Sequence, residues 1–179
     1  YLRHLGESVL KWNMVHDEKL HIVFRRCPTD FSIRYDDVLS DFDNIITEIR
    51  PAWNSLNKSG GWDKIVPDKE DNVLLVNTVL HCECVINVGS TMAHDFSLYG
   101  KPCIYIKYNI DNKNLTWNVN RIYDNIHFQT MLDLEPVIWI ENKTQWIEKL
   151  YIALYESENA VVDSKKWHKK VALYPLEKA

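Results

Sequence analysis

The sequence predicts an α/β protein in which a parallel sheet carries helices on both faces. Strand-like apolar runs alternate with segments of helical periodicity along most of the chain, as in sheets whose parallel strands are joined by helices. The strand-like runs show no period-two alternation, which is typical of strands buried on both faces. The 179 residues, 46% of them hydrophobic, suffice for one domain with a substantial core.

The elements of the first half follow from spacing and from helix-breaking residues. Apolar residues at helical spacing predict helices over 2–14 and 35–49, and Pro51 ends the second of these. A short apolar run predicts a buried strand over 20–24. Residues 51–68 are the least regular stretch, rich in Gly, Pro and Trp, with a short strand expected at 64–66.

From residue 68 onward, helices and strands alternate regularly. Asp68 is expected to cap a helix that runs to about His81, with Asp71 in its first turn favouring the helix dipole. The remaining predicted elements are, in order, a strand at 84–88, a helix at 91–99, a strand at 102–107, one or two short helices within 121–132, a strand at 137–140, a helix at 144–155 and a charged helical tail at 158–179.

The most informative segment reads CVINVGSTMAHD, at residues 84–95. Gly89 can adopt the backbone angles of a tight strand-to-helix turn. Ser90 and Thr91 then fall at a helix start, where exposed N–H groups attract a phosphate. Asp95 follows one helical turn later, within reach of a ribose diol. The alternative is an ordinary helix cap that leads into the next parallel strand.

This segment and its continuation, CVINVGSTMAHDFSLYGKPCIYIKY, resemble the nucleotide-binding C-terminal domain of GT-B fold glycosyltransferases. Sugar-nucleotide 2-epimerases and transferases that build lipopolysaccharide share the pattern. The resemblance, which spans roughly residues 20–155, implies one Rossmann-like half of a GT-B fold. It implies that Gly89, Ser90 and Thr91 bind a diphosphate and that Asp95, where many relatives carry Glu, holds the ribose.

Two further segments are similar to parts of the same family. DKIVPDKEDNVLLVNTVLHCE is similar to the segment that recognises the base, which makes Ile65, Val66 and Pro67 candidate base contacts. HIVFRRCPTD is similar to a segment that often reads Arg-x-His-Pro, with Cys27 where the histidine would stand. Arg25 is a candidate diphosphate contact because a guanidinium binds phosphate bidentately, although a salt bridge is the alternative. Arg26 is expected to be solvated.

The function expected from the resemblance is that of a donor-binding domain of a glycosyltransferase in surface polysaccharide or lipopolysaccharide synthesis. The donor is expected to be a nucleotide-diphosphate sugar, preferably a UDP-sugar, with no metal or other cofactor and with catalytic residues unassigned. The chain, one domain over 1–179, is expected to be the C-terminal part of a longer protein whose N-terminal domain binds a glycan or lipid-linked acceptor. The alternatives are a sugar-nucleotide epimerase, a CDP-polyol phosphotransferase domain, or a non-catalytic flavodoxin-like binding module.

Net charge and hydropathy limit the classes of partner that we expect. A net charge of −4 gives no reason to expect nucleic-acid binding, and no apolar run is long enough for a transmembrane segment. We therefore expect a cytoplasmic protein, with the inner face of the membrane as an alternative location. The four cysteines are expected to be reduced and structural. Trp53 and Trp62 are expected to pack loops more often than to stack on a ligand.

Overall fold

The computed structural model describes residues 1–55, 65–110 and 118–172. The chain divides into two compact units, residues 1–81 and 82–179. Both units combine helices with parallel strands, so the predicted α/β class is confirmed at that level. The helices are α1 Leu2–Val15, α2 Asp36–Asp41, α3 Lys69–His81, α4 Met92–Leu98, α5 Asn120–Tyr123, α6 Ile126–Gln129, α7 Trp146–Tyr155 and α8 Glu158–Val171. The strands are β1 Ile22–Arg25, β2 Ile46–Ile49, β3 Trp53–Ser55, β4 Ile65–Pro67, β5 Val85–Asn87, β6 Cys103–Ile106 and β7 Ile138–Ile140.

In the first unit, α1 agrees with the helix predicted over 2–14. It buries one face through Leu5, Val9 and Trp12, as expected for an amphipathic surface helix. Strand β1 pairs in parallel with β2, and Ile22 lies opposite Ile46 in the register.

The helix predicted over 35–49 is wrong beyond its first turns. Helix α2 ends at Asp41, a turn follows, and residues 46–49 form β2. Apolar residues at 42, 45, 46 and 49 fit the helical repeat, but Ile45, Ile46 and Thr47 are β-branched and favour a strand. The parallel partner β1, remote in sequence, supplies the backbone hydrogen bonds that decide between the two.

The irregular stretch contains a second strand pair. Strands β3 and β4 are antiparallel, with Trp53 opposite Pro67, so the strand predicted at 64–66 is observed as β4 (Lys64 lies outside the described residues, as does Trp62). Helix α3 begins after Asp68, whose Oδ1 accepts the N–H of Asp71 at 2.8 Å. The predicted cap at Asp68 is confirmed.

The second unit is built on the parallel sheet β5-β6-β7. All four residues of β6 are buried, in agreement with the absence of alternation in its sequence. Helix α4 connects β5 to β6, α5 and α6 lie between β6 and β7, and α8 packs on α4. None of the helices in the described parts of the chain is long and apolar enough to cross a membrane.

Candidate functional site: the Gly89 turn

The turn after β5 depends on glycine for two reasons. Gly89 has a φ of +61°, in the left-handed region that L side chains rarely adopt. A Cβ at this position would lie 2.5 Å from Cγ2 of Ile122 and 3.2 Å from Cζ of Phe128. The predicted tight turn is confirmed, and α5 and α6 pack so closely against it that no side chain fits.

Ser90 is held at both of its backbone polar groups. Its N–H donates to Oδ1 of Asn87 at 2.8 Å, and its carbonyl accepts a hydrogen bond from the hydroxyl of Tyr105 at 2.7 Å. Its Oγ accepts the N–H of Met92 at 3.3 Å. Burial raises the pKa of Tyr105 far above its usual value, so its hydroxyl remains a donor. The turn is therefore rigidly positioned by side chains from β5 and β6.

These supporting side chains form one row across the sheet. Asn87 lies opposite Tyr105, and Tyr105 lies opposite Trp139, so all three point to the same face. The rings of Tyr105 and Trp139 are 5.6 Å apart, and Nζ of Lys107 lies 5.1 Å from the Trp139 ring centroid. Sequence reasoning missed this row. The available signal was that each of these residues lies at or near the carboxyl end of a predicted parallel strand.

The four turn and helix residues predicted from the sequence are brought together by one continuous segment. Gly89 and Ser90 form the turn, Thr91 stands at the N-cap position of α4 and is exposed, and Asp95 lies half-buried within α4. The arrangement is a strand, a glycine turn and a short helix at the carboxyl end of a parallel strand.

Arg25 belongs to the first unit, where a buried carboxylate engages it. Its Nη2 donates to Oδ1 and Oδ2 of Asp71 at 2.7 Å each, and the two side chains are 14% and 3% exposed. Asp71 also accepts the Nε1–H of Trp53 at 2.6 Å and the N–H of Ala52 at 3.0 Å. Sequence reasoning assigned Asp71 only to the helix dipole and missed that it organises this cluster.

The other predicted residues of the first unit lie in a strand or in a buried ion pair. Ile65, Val66 and Pro67 form β4, and Val66 is 40% exposed. Arg26 is buried, with Nε donating to Glu48 at 2.6 Å, so the expectation that it is solvated is wrong. Its acidic partner comes from β2, the strand that the sequence analysis assigned to a helix.

The four cysteines are expected from the sequence to be reduced and structural. All four cysteines are free thiols, and burial raises the pKa of Cys84 to about 12, which keeps it protonated and weakly nucleophilic. Within residues 1–55, 65–110 and 118–172, no cluster of three or more His, Cys, Asp and Glu side chains is arranged to hold a metal ion.

Comparison of the chain with family models, with curated proteins and with solved structures finds no match. The function is therefore inferred from the sequence resemblance and from the geometry of the Gly89 turn.

Proposed function

We propose that this chain is the donor-binding domain of a glycosyltransferase, a Rossmann-like half of a GT-B fold that binds a nucleotide-diphosphate sugar, preferably a UDP-sugar. The observation that carries the proposal is the left-handed Gly89 at the carboxyl end of parallel strand β5, followed directly by helix α4. Open α/β sheets bind ligands beyond the carboxyl ends of their strands. The assigned role is in surface polysaccharide or lipopolysaccharide synthesis, as the resemblance implies.

The assigned contacts follow the order of the segment. Gly89 provides the left-handed turn whose backbone faces the diphosphate in this proposal, and Ser90 and Thr91 supply polar groups to it. The carboxylate of Asp95, one helical turn later, accepts hydrogen bonds from the ribose hydroxyls. Because Asn87 and Tyr105 already fix Ser90, the turn loses little conformational freedom when a ligand binds.

The candidate residues of the first unit, Ile65 to Pro67 and Arg25, support the proposal less strongly than the Gly89 turn does. The resemblance assigns base recognition to the backbone of Ile65, Val66 and Pro67, and the proposal keeps that assignment. Asp71 neutralises Arg25 in a buried pair, so the proposal does not depend on Arg25 as a phosphate ligand.

In the proposed reaction, the bond between the sugar C1 and the nucleoside diphosphate breaks, and an acceptor hydroxyl forms the new bond at C1. The diphosphate leaves with the bonding electron pair, and polar groups at the Ser90–Thr91 turn stabilise its charge. The acceptor hydroxyl gives up its proton to water or to a base. The acceptor, a glycan or a lipid-linked sugar, and any catalytic base are assigned to another domain.

Calorimetric titration tests the proposal directly. UDP, CDP, GDP and ADP are titrated into the chain, with UMP as the monophosphate reference. We expect one diphosphate to bind at least about tenfold more tightly than its monophosphate, equivalent to about 1.4 kcal/mol. Asp95→Ala should weaken that binding and Ser90→Asp should abolish it, while Asp133→Ala, which removes an exposed carboxylate of the same unit, should leave it unchanged. Equal binding of di- and monophosphates, or wild-type affinity in Asp95→Ala, would contradict the proposal.

One observation favours a second candidate, a non-catalytic flavodoxin-like binding module. The N–H of Ser90 is already bonded to Asn87, and Ile122 and Phe128 fill the space beside Gly89. A turn satisfied in this way is stable without a ligand. This candidate predicts no preference for a nucleoside diphosphate and no change when Ser90→Asp is combined with Asp95→Ala.

A further inference from the structure

Helix α8 packs on α4 through a group of aromatic rings that includes two histidines. The ring of His94, on α4, lies 4.3 Å from the ring of Trp167 and 5.4 Å from that of His168, both on α8. Trp167 is almost fully buried, and its Nε1–H donates to Oγ1 of Thr130 at 2.9 Å. The hydroxyls of Ser97 and Ser164 meet across the same interface at 3.3 Å.

Three ring nitrogens in this interface are buried without a hydrogen-bond partner among the described residues. Both ring nitrogens of His94 and Nδ1 of His168 are buried with no partner in the described part of the chain. A neutral imidazole carries one donor and one acceptor, and buried polar groups of native proteins are normally bonded. The described part of the α4–α8 interface therefore encloses neutral imidazoles without giving these three nitrogens a hydrogen bond.

Protonation makes this arrangement less favourable still. An imidazolium has two N–H donors, and burial penalises its charge. The titratable groups that act on His94 are His168 of α8 and His127 of α6, and both become cations on protonation. Helix α8 carries the exposed side chains of Lys165, Lys166, Lys169 and Lys170, of which Lys166 pairs with Asp163 at 2.8 Å, and it has Glu158 in its first turn. Asp95 follows His94 on α4, but its side chain points about 100° away around the helix.

We infer that the α4–α8 interface is an acid-sensitive latch, in which protonation of His94 and His168 releases α8 from α4. The ring of Trp167 offers an imidazolium a cation–π contact, but a ring face accepts neither of the two N–H groups as a lone pair would. Separation of α8 lets water reach the ring nitrogens and both charges. This device is independent of the proposed glycosyltransferase role.

The direction of the pH effect follows from proton linkage. Burial, and then the charges of His168 and His127, lower the pKa of His94 to about 4, and burial also lowers the pKa of His168. The released state therefore takes up protons more readily than the latched state. The contribution of the neutral histidine to the stability of the latched state is fully present above about pH 6.5, the usual histidine pKa. It is lost progressively as the pH falls toward 4. His94 contributes up to about a tenfold change per pH unit in that window, and His168 acts in the same direction.

Hydrogen exchange followed by mass spectrometry tests the latch in the wild-type chain. Exchange is compared at about pH 7 and about pH 5 after correction for the intrinsic rates. We expect the protection of α8 peptides to fall at least about tenfold at the lower pH, while α1 peptides keep theirs. The variant His94→Phe/His168→Phe should retain α8 protection at both pH values, and His21→Phe, an exposed histidine of the first unit, should behave as wild type.

A second readout needs no substitution. In a titration followed by NMR, the His94 and His168 ring signals should report protonation only over the pH range in which α8 loses protection. The inference is overturned if α8 keeps its protection at about pH 5, or if both rings become protonated while α8 stays protected. Equal loss of protection in a folded double variant would also overturn it.

Discussion

Asp71 in the first unit and His94 in the second are both ionisable side chains with buried polar atoms, but they differ in their hydrogen bonding. The carboxylate of Asp71 accepts hydrogen bonds from Arg25, Trp53 and Ala52. The ring nitrogens of His94 are buried with no partner in the described residues. Asp71 therefore joins β1, β3 and α3 into one cluster, whereas His94 contributes ring packing, and no hydrogen bond among the described residues, to the α4–α8 contact. Burial of a polar group stabilises a structure only when its partners are buried with it.

The largest effect is expected from Asp71→Ala. This change leaves the guanidinium of Arg25 buried without its counter-charge and removes the acceptor of two further N–H groups. Breaking one side of a buried ion pair costs about 3–5 kcal/mol in the free energy of unfolding. Urea denaturation followed by circular dichroism measures the loss.

The matched control is Asp41→Ala, because Asp41 pairs with Arg3 at 2.7 Å while both side chains remain about half exposed. That exposed pair is worth about 0–1 kcal/mol. Similar costs for the two substitutions would show that the Asp71 cluster does not stabilise the first unit as its geometry indicates.

The second-largest effect is expected at the Gly89 turn. A substitution there tests whether other parts of the second unit are packed tightly, in contrast to the surroundings of His94. Gly89→Ala forces a left-handed backbone on alanine and places its Cβ 2.5 Å from Ile122. Strain and overpacking together should cost about 2–4 kcal/mol in urea denaturation.

Gly100→Ala separates these two contributions. Gly100 has a similar φ of +67°, but its nearest neighbour would be Nζ of Lys165 at 3.5 Å, an ordinary contact with a flexible chain. Only the backbone strain of about 1–2 kcal/mol should remain. Equal costs at the two glycines would show that α5 and α6 yield easily around the turn.

A smaller effect is expected from Tyr105→Phe, which tests a satisfied polar group of the second unit. The change removes the hydroxyl that donates to the carbonyl oxygen of Ser90 and keeps the aromatic ring. We expect a loss of about 1–2 kcal/mol in thermal or urea denaturation. Tyr99→Phe, at an exposed ring of the same unit, should stay within about 0.5 kcal/mol. If both substitutions are neutral, the Asn87–Tyr105 support of the turn has no energetic importance.

The sequence predicted the features that depend on nearby residues and failed where the partners are remote in the chain. The cap at Asp68 and the turn at Gly89 depend on residues within a few positions, and both are confirmed. Strand β2 depends on pairing with β1, more than 20 residues earlier, and its apolar spacing fits a helix equally well.

The candidate site shows the same limit. The segment from Gly89 to Asp95 could be placed because it is continuous, whereas its supports Tyr105 and Trp139 become visible only once the strand register is known. Asp71 was misjudged for a related reason, since its partners Arg25 and Trp53 come from strands remote in sequence.

The smallest effect at neutral pH is expected from His94→Phe, although this change informs the comparison most. Phenylalanine keeps an aromatic ring against Trp167 and removes two buried nitrogens that have no partner. Its stability at about pH 7 should lie within about 1 kcal/mol of wild type, because exchanging an unsatisfied polar group for an apolar one is nearly neutral. The difference should change with pH, since the lowered pKa of His94 makes the wild type lose stability below about pH 6.5 while the variant loses less. At about pH 5 the variant should therefore be the more stable protein in urea denaturation, and a loss of several kcal/mol at neutral pH would instead show that His94 stabilises its interface as Asp71 does.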